Sequence, residues 1–325
     1  MKPHLILAFS GLLAFGLSAC GEKEASQPAS QAAVAQQTSD PAKAVEAMAA
    51  KLRENNLLEA VQLAVPPTQL EAIRAKFKEA MNKEAPSEEE RKAYADQMTQ
   101  LTAPDAEAAL YALLEPQLEK FDTEMAAQMP MMVGMGQGFV IQSIQASTEL
   151  NEVQKKEATE AIGAIAGWLQ SAKLTDRELA KKGIAIVVKT ARSLDLATLD
   201  QVRALDFDHA MGKAGIAFGG LKDILALYGL DLNQALTSAK ARVTTKGEGT
   251  ATVSVAYNLL GKPLTSQSDM VEVDGRWYGK DTAEQITKSL AGETEDVQVT
   301  VKTDATDEAQ APAQDEAPVE QAPQQ

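Results

Sequence analysis

The chain has 325 residues, 45% of them hydrophobic, which is enough to bury a sizeable core in one or two domains. Its net charge of −15 and its 4% aromatic content argue against a nucleic-acid binder, which needs cations for phosphates and rings for bases. A single cysteine, Cys20, rules out an internal disulfide.

The N-terminus opens Met1-Lys2-Pro3-His4 and then runs "LILAFSGLLAFGLSA" without a charge up to Cys20. A short positive region followed by an apolar stretch is the layout of a secretory signal peptide. The stretch is short for a spanning helix, and the residues after it are polar without a cationic stop signal. Directly after it, "LSAC" (Leu17, Ser18, Ala19, Cys20) resembles the lipobox of bacterial lipoproteins. That resemblance implies cleavage before Cys20, acylation of Cys20, and a mature chain starting there. The bland alternative is an ordinary cleaved signal with Cys20 incidental. More than one acyl chain is needed for stable anchoring, which the family's multiply acylated cysteine supplies. Gly21 stands where the family's inner-membrane retention signal places Asp, so the resemblance implies the outer membrane, periplasmic side.

Residues 1–19 are thus expected to be a signal peptide and 20–39 a lipidated flexible tether. "GEKEASQPASQAAVAQQTS" has too little apolar bulk to offset the entropy of ordering it. From 40 to 240 the patterning is helical. Asp40 and Pro41 read as a cap and a first helical position. Leu70, Ile73, Phe77 and Met81 share a face, with Thr68 and Glu71 as a capping box. Ser87 precedes a run of acids suited to a helix start. Leu110, Leu113 and Leu114 line a face, and Pro116 should kink or end that helix. Leu150, Val153, Ala161, Ile162, Ile165 and Leu169 form a further stripe. Thr175 and Glu178 read as another capping box, before Ile184, Val187, Val188 and Ala191 on an inward face. Gly229 reads as a C-cap and Asp231 as the cap of a short helix.

Two segments, 101–122 and 194–208, end Phe-Asp and are each followed by a Met- and Gly-rich run. That pattern raises an internal duplication of roughly 80 to 90 residues per unit, although the match needs gaps.

Near Ala241 the period changes from helical to alternating. Ala251, Val253, Val255 and Tyr257 point one way, "KGEGT" reads as a hairpin turn, and Asp274-Gly275 as a tight one. Residues 241–291 are expected to form an antiparallel meander and a closing helix. The ending "VEVDGRWY" is similar to the last hairpin of many small secreted bacterial lipoproteins and cone-shaped α+β binding domains. Residues 292–325 are Pro/Ala/Gln-rich, with nine acids against the single base Lys302, and are expected to be a disordered tail. The expected fold class is α+β, a mainly α-helical domain with a small C-terminal antiparallel sheet.

The chemical inventory after residue 20 is thin: one histidine, His209, and no cysteine beyond Cys20. Histidine triads, thiol catalysis and multi-histidine metal sites lack their residues. No cofactor is expected. "DFDH" groups Asp206, Asp208 and His209, a conceivable acid–base set for a hydrolase-like enzyme. The competing reading makes Asp206 or Asp208 a helix cap with Phe207 as its staple. "GMGQGF" echoes a dinucleotide loop but lacks the strand before it, so Gly134, Gly136 and Gly138 read instead as a helix break or a close packing site.

The run 129–144 is uncharged and clusters Met129, Met131, Met132 and Met135. The first expectation is a central core helix packed with the small-residue segments 161–170 and 215–220. The alternative is an adaptable apolar pocket or partner surface, for which methionine is suited. The functional expectation is a membrane-anchored, non-catalytic protein binding an envelope protein or apolar ligand; a structural spacer using the acidic tail is a further alternative.

Overall fold

A computed structural model describes residues 39–83, 85–148 and 150–291. The signal segment, Cys20, nearly all of the tether and the acidic tail lie outside these residues. What is described is α+β: twelve helices and one four-stranded antiparallel sheet near the C-terminal end, in the order β1-β2-β3-β4.

Local chemistry starts most of the helices. Asp40 Oδ1 accepts from the backbone N–H of Ala42 and Lys43 at 3.0 Å, and Pro41 opens α1 (Pro41–Arg53). Asn56 caps α2 (Leu57–Ala64). In α3 (Pro67–Asn82) the expected Thr68–Glu71 box does not form. Pro66 and Pro67 start that helix two residues earlier, and proline has no N–H to satisfy there. Ser87 and Glu90 form a capping box on α4 (Glu88–Thr102). Pro116 neither ends nor interrupts α5 (Ala106–Lys120), which continues into a π-helical turn at Phe121–Met125. The N–H that Pro116 lacks would have reached Ala112 O, whereas the π-turn is closed further on by Ala126 N–H to Phe121 O at 2.9 Å.

α6 (Met129–Ala146) and α7 (Glu152–Ser171) form a helical hairpin, with Asn151 and Gln154 boxing the second helix. For α8 (Arg177–Leu194) the cap is Asp176, which accepts from Glu178 and Leu179, and not the expected Thr175. A carboxylate one residue closer takes both N–H groups and displaces the hydroxyl. The short α9 (Leu199–Arg203) leads to α10 (Phe207–Leu227), capped by Asp206. α10 ends in a Schellman motif: Leu230 N–H reaches Leu225 O and Gly229 N–H reaches Ala226 O, both at 2.9 Å, with Gly229 at φ +93°. Asp231 then caps α11 (Leu232–Ser238).

The sheet comprises β1 (Lys240–Lys246), β2 (Thr250–Leu259), β3 (Lys262–Val273) and β4 (Arg276–Gly279), and α12 (Lys280–Ala291) closes the described chain. Val253 stands opposite Ser268, and Val271 opposite Tyr278. Asp274 (φ 52°) and Gly275 (φ 75°) make the expected tight turn. A second one, Leu260 (φ 55°) and Gly261 (φ 76°), was not legible because leucine is a poor left-handed residue. Leu260 packs against the third cluster described below, which holds it there. Carboxylates cover the β1 edge and the stretch of β3 that the short β4 leaves unpaired. Glu46 accepts from Ala241 N–H at 3.1 Å on β1, and Glu157 accepts from Gln267 N–H and the Thr265 hydroxyl, each at 2.9 Å, on β3.

Four apolar clusters hold these pieces together. One joins α2, α3, α10 and α12 through Leu57, Leu70, Phe207, Phe218 and Ile286. In the second, α1 lies on the sheet through Ala44, Val253, Met270 and Trp277. The third ties α7 to α11 and the β2–β3 hairpin through Ala164, Leu230, Leu259 and Leu264. The fourth packs α5 on α8 through Ala106, Leu110, Leu114, Ile184 and Val188. Leu113 (68% exposed) and Val187 therefore face outward, contrary to expectation. On α7 the buried face is Ala161, Ala164 and Trp168, whereas Val153 and Ile165 are exposed. Trp168 decides this rotation, because its indole N–H also bonds Tyr228 O at 2.8 Å.

At the centre, Lys222 is 2% exposed, and its ammonium donates to Leu52 O (3.0 Å), Arg53 O (2.8 Å) and Asn233 Oδ1 (2.6 Å). It thereby closes the C-terminal end of α1, a favourable place for a cation. Burial pulls its pKa below the ordinary lysine value.

Candidate binding face on helix α6

α6 runs for 18 residues without one charged side chain. It has poor intrinsic support: no side-chain cap, and glycine at positions 134, 136 and 138. Packing supplies what propensity does not. Val133 is buried and Met129, Gln137, Ile141 and Ile144 are half-buried, forming a seam along α7. Gln145 Nε2 donates to Thr159 Oγ1 at 3.3 Å, and Gln137 Nε2 lies 3.9 Å from the Cβ position of Gly163.

The opposite side of the helix is open. Met131, Met132, Met135 and Phe139 are 60%, 42%, 62% and 72% exposed, and Val140 is also exposed. The expectation of a core helix is therefore overturned, and so is its packing with segment 215–220, which instead packs through α10 against α8. An apolar-all-round sequence reads as buried, but this helix sits at the edge of the fold, where α7 covers only one side. Gly134, Gly136 and Gly138 are likewise neither a break nor a close packing site. They lie inside one continuous helix, and a Cβ built on any of them meets nothing within 4 Å.

Of the four methionines singled out from sequence, Met131, Met132 and Met135 share the open side, whereas Met129 is half-buried in the seam. Phe139, the most exposed of the large apolar residues named here, was missed. Its signal is the i, i+4 series Met131, Met135, Phe139. Scattered exposed apolar residues are ordinary, but a contiguous run of them on one helix marks a contact surface. The face carries no acidic or basic side chain; its thioethers are soft, weak donors, and what it chiefly supplies is dispersion and desolvation.

The other candidate group lies at the start of α10. Asp206 accepts from His209 N–H at 2.8 Å, and His209 Nδ1 lies 2.8 Å from both Asp206 carboxylate oxygens. The His209 backbone N–H first, and its ring second, hold the Asp206 carboxyl below the usual range. Asp208 turns away to Arg74, whose Nε and Nη2 approach Asp208 Oδ1 at 3.0 and 2.9 Å. The structure thus joins Asp206 with His209 and separates both from Asp208. The His209 side chain is 76% exposed, and Phe207 is buried in the first cluster as the first residue of α10, not as a staple ahead of its cap. A shallow cleft of about 470 Å³ lies elsewhere, lined by Gln234, Thr237, Ser238, Asn258 and Gly261. Among the described residues there is no group of three His, Cys, Asp or Glu side chains placed to hold a metal, and no helix long and apolar enough to cross a membrane.

Compared with known proteins, the sequence matches no family model and no curated protein, and the fold matches no solved structure.

Proposed function

We propose that this chain is a lipid-anchored envelope protein that acts by binding, and that its binding surface is the open face of α6. The observation that carries the reading is the contiguous exposure of Met131, Met135 and Phe139 on an uncharged helix. Methionine adapts its shape to a partner, and a rigid aromatic beside it supplies an anchor. The "LSAC" stretch supports an attachment at Cys20 on the periplasmic side of the outer membrane, with residues 20–39 as the leash. Catalysis is not part of the proposal.

Two measurements test it. Cells fed a fatty-acid probe should label the wild-type chain and not Cys20→Ser; equal labelling of both removes the anchor. A photo-crosslinking residue at position 135 should capture a defined species in intact envelopes, and a triple Met131→Ser, Met135→Ser, Phe139→Ser change should abolish loss-of-function rescue. Full rescue by the triple variant removes the binding face.

A further inference from the structure

We infer that Met131, Met132 and Met135 form a thioether site for a soft monovalent cation of the cuprous or silver type. The inference goes beyond the proposed function and does not depend on it, because the donors stand on this face whatever partner the face takes.

Four of the chain's eleven methionines fall between residues 129 and 135. At about 100° and 1.5 Å per residue, Met131, Met132 and Met135 lie within an arc of about 100° and a rise of about 6 Å. All three are exposed, whereas Met98, Met211 and Met270 are buried in the interior. Met131 and Met132 stand at i−4 and i−3 from Met135, spacings at which Cβ atoms are about 5–6 Å apart. Three rotatable bonds in each side chain then allow the sulfurs to turn toward one point. A single thioether is a weak ligand, but once one holds an ion the other two meet it at high effective concentration. Met129, half-buried in the seam at i−3 from Met132, is a fourth sulfur one turn away.

The surroundings select the ion. Zinc is held by thiolate, imidazole or carboxylate, and calcium and magnesium by charged oxygen; α6 carries no such side chain. Thioethers suit the soft cuprous class. Because these donors are neutral, the ion keeps its charge, and a monovalent ion loses far less hydration than a divalent one. A chain of net charge −15 supplies the long-range attraction. Phe139 falls in the same arc one turn beyond Met135, where a ring offers a negative face to a cation and limits water. Gly134 and Gly138 border the arc, and a Cβ built on either meets nothing within 4 Å, so that side of the site is open to an entering ion. Apolar contact alone does not require sulfur, since leucine matches methionine in bulk and in helix propensity.

The test uses the full chain carrying Cys20→Ser, purified in detergent, so that no thiol competes. Silver(I) is the probe, because it shares the donors of cuprous copper and keeps one oxidation state in air. Calorimetric titration should show one equivalent bound. The methyl resonances of Met131, Met132 and Met135 should shift with silver(I), while those of Met98, Met211 and Met270 stay in place. Zinc(II) and magnesium(II) should shift none of them. Replacing all three (Met131→Leu, Met132→Leu, Met135→Leu) keeps the apolar bulk and removes the sulfur, and should weaken silver binding by roughly tenfold or more, as the loss of a chelating set does. Unchanged affinity in that variant, shifts at other methionines without shifts at these three, or equal shifts with zinc(II) overturns the inference. Should the leucine variant fail to fold, the methyl shifts of the chain with its native methionines decide alone. Absence of silver binding also overturns the inference, whereas loss-of-function rescue by the leucine variant leaves the binding face standing, so the two readings fail separately.

Discussion

Two glycine-to-alanine changes in this chain should move stability in opposite directions. Gly138 lies in α6 with open space where a Cβ would stand, whereas Gly220 lies in α10 where α8 crosses. A Cβ at position 220 would lie 2.3 Å from Thr190 Oγ1 and 3.0 and 3.1 Å from Thr190 Cγ2 and Cβ. A rotamer change moves the first two atoms but not the third, so the helices must separate. Gly138→Ala collects only the propensity gain of about 0.5–1 kcal/mol. Gly220→Ala collects the same gain against an overpacking cost of about 1–3 kcal/mol, for a net loss of up to about 2.5. For a domain of this size each kcal/mol is worth about 2–4 °C. Thermal unfolding followed by circular dichroism, on dilute chain lacking residues 1–19 and carrying Cys20→Ser, should therefore show Tm up by about 1–4 °C for Gly138→Ala and down by up to about 10 °C for Gly220→Ala. Adding Thr190→Ala to Gly220→Ala should recover part of the loss, as coupled neighbours do. A lower Tm for Gly138→Ala, or a higher one for Gly220→Ala, would refute the packing argument.

Lys222→Met should destabilise by roughly 2–4 kcal/mol in urea titration, because Leu52 O, Arg53 O and Asn233 Oδ1 lose their donor together; an effect below about 1 kcal/mol would mean water replaces it. Asp206→Ala removes the α10 cap and should cost about 0.5–2 kcal/mol at neutral pH. Its folded pKa is depressed, so its contribution is full above the ordinary carboxylate pKa and is lost as pH falls through the folded value. The difference between wild type and Asp206→Ala should accordingly shrink below about pH 4, and a constant difference down to pH 2 would contradict the assignment. Glu157→Ala leaves Gln267 N–H on the β3 edge without its acceptor, and hydrogen exchange at that amide should accelerate at least tenfold; unchanged exchange would show that α7 shields the edge without it.

Boundaries were legible where one or two residues decide them. Asp40, Ser87 and Asp231 cap the helices they precede, Gly229 ends α10 and Asp274-Gly275 turns the last hairpin, because each acts on backbone groups within a few positions of itself. Even there, competition between neighbours misled: Asp176 outbid Thr175, and Pro66 and Pro67 pre-empted Thr68. The α+β order was legible too, since a change of hydrophobic period is written in the sequence itself.

Which way an apolar face points was decided only by the tertiary structure. Leu113, Val153 and Val187 sit on stripes that read as inward, yet they are exposed because the crossing helix covers a narrower arc than the stripe. α6 is the extreme case. With no charge anywhere on it, its sequence cannot distinguish a buried side from an open one, and only its position against α7 does. A helix's amphipathicity encodes orientation, and where amphipathicity vanishes the neighbours must supply it.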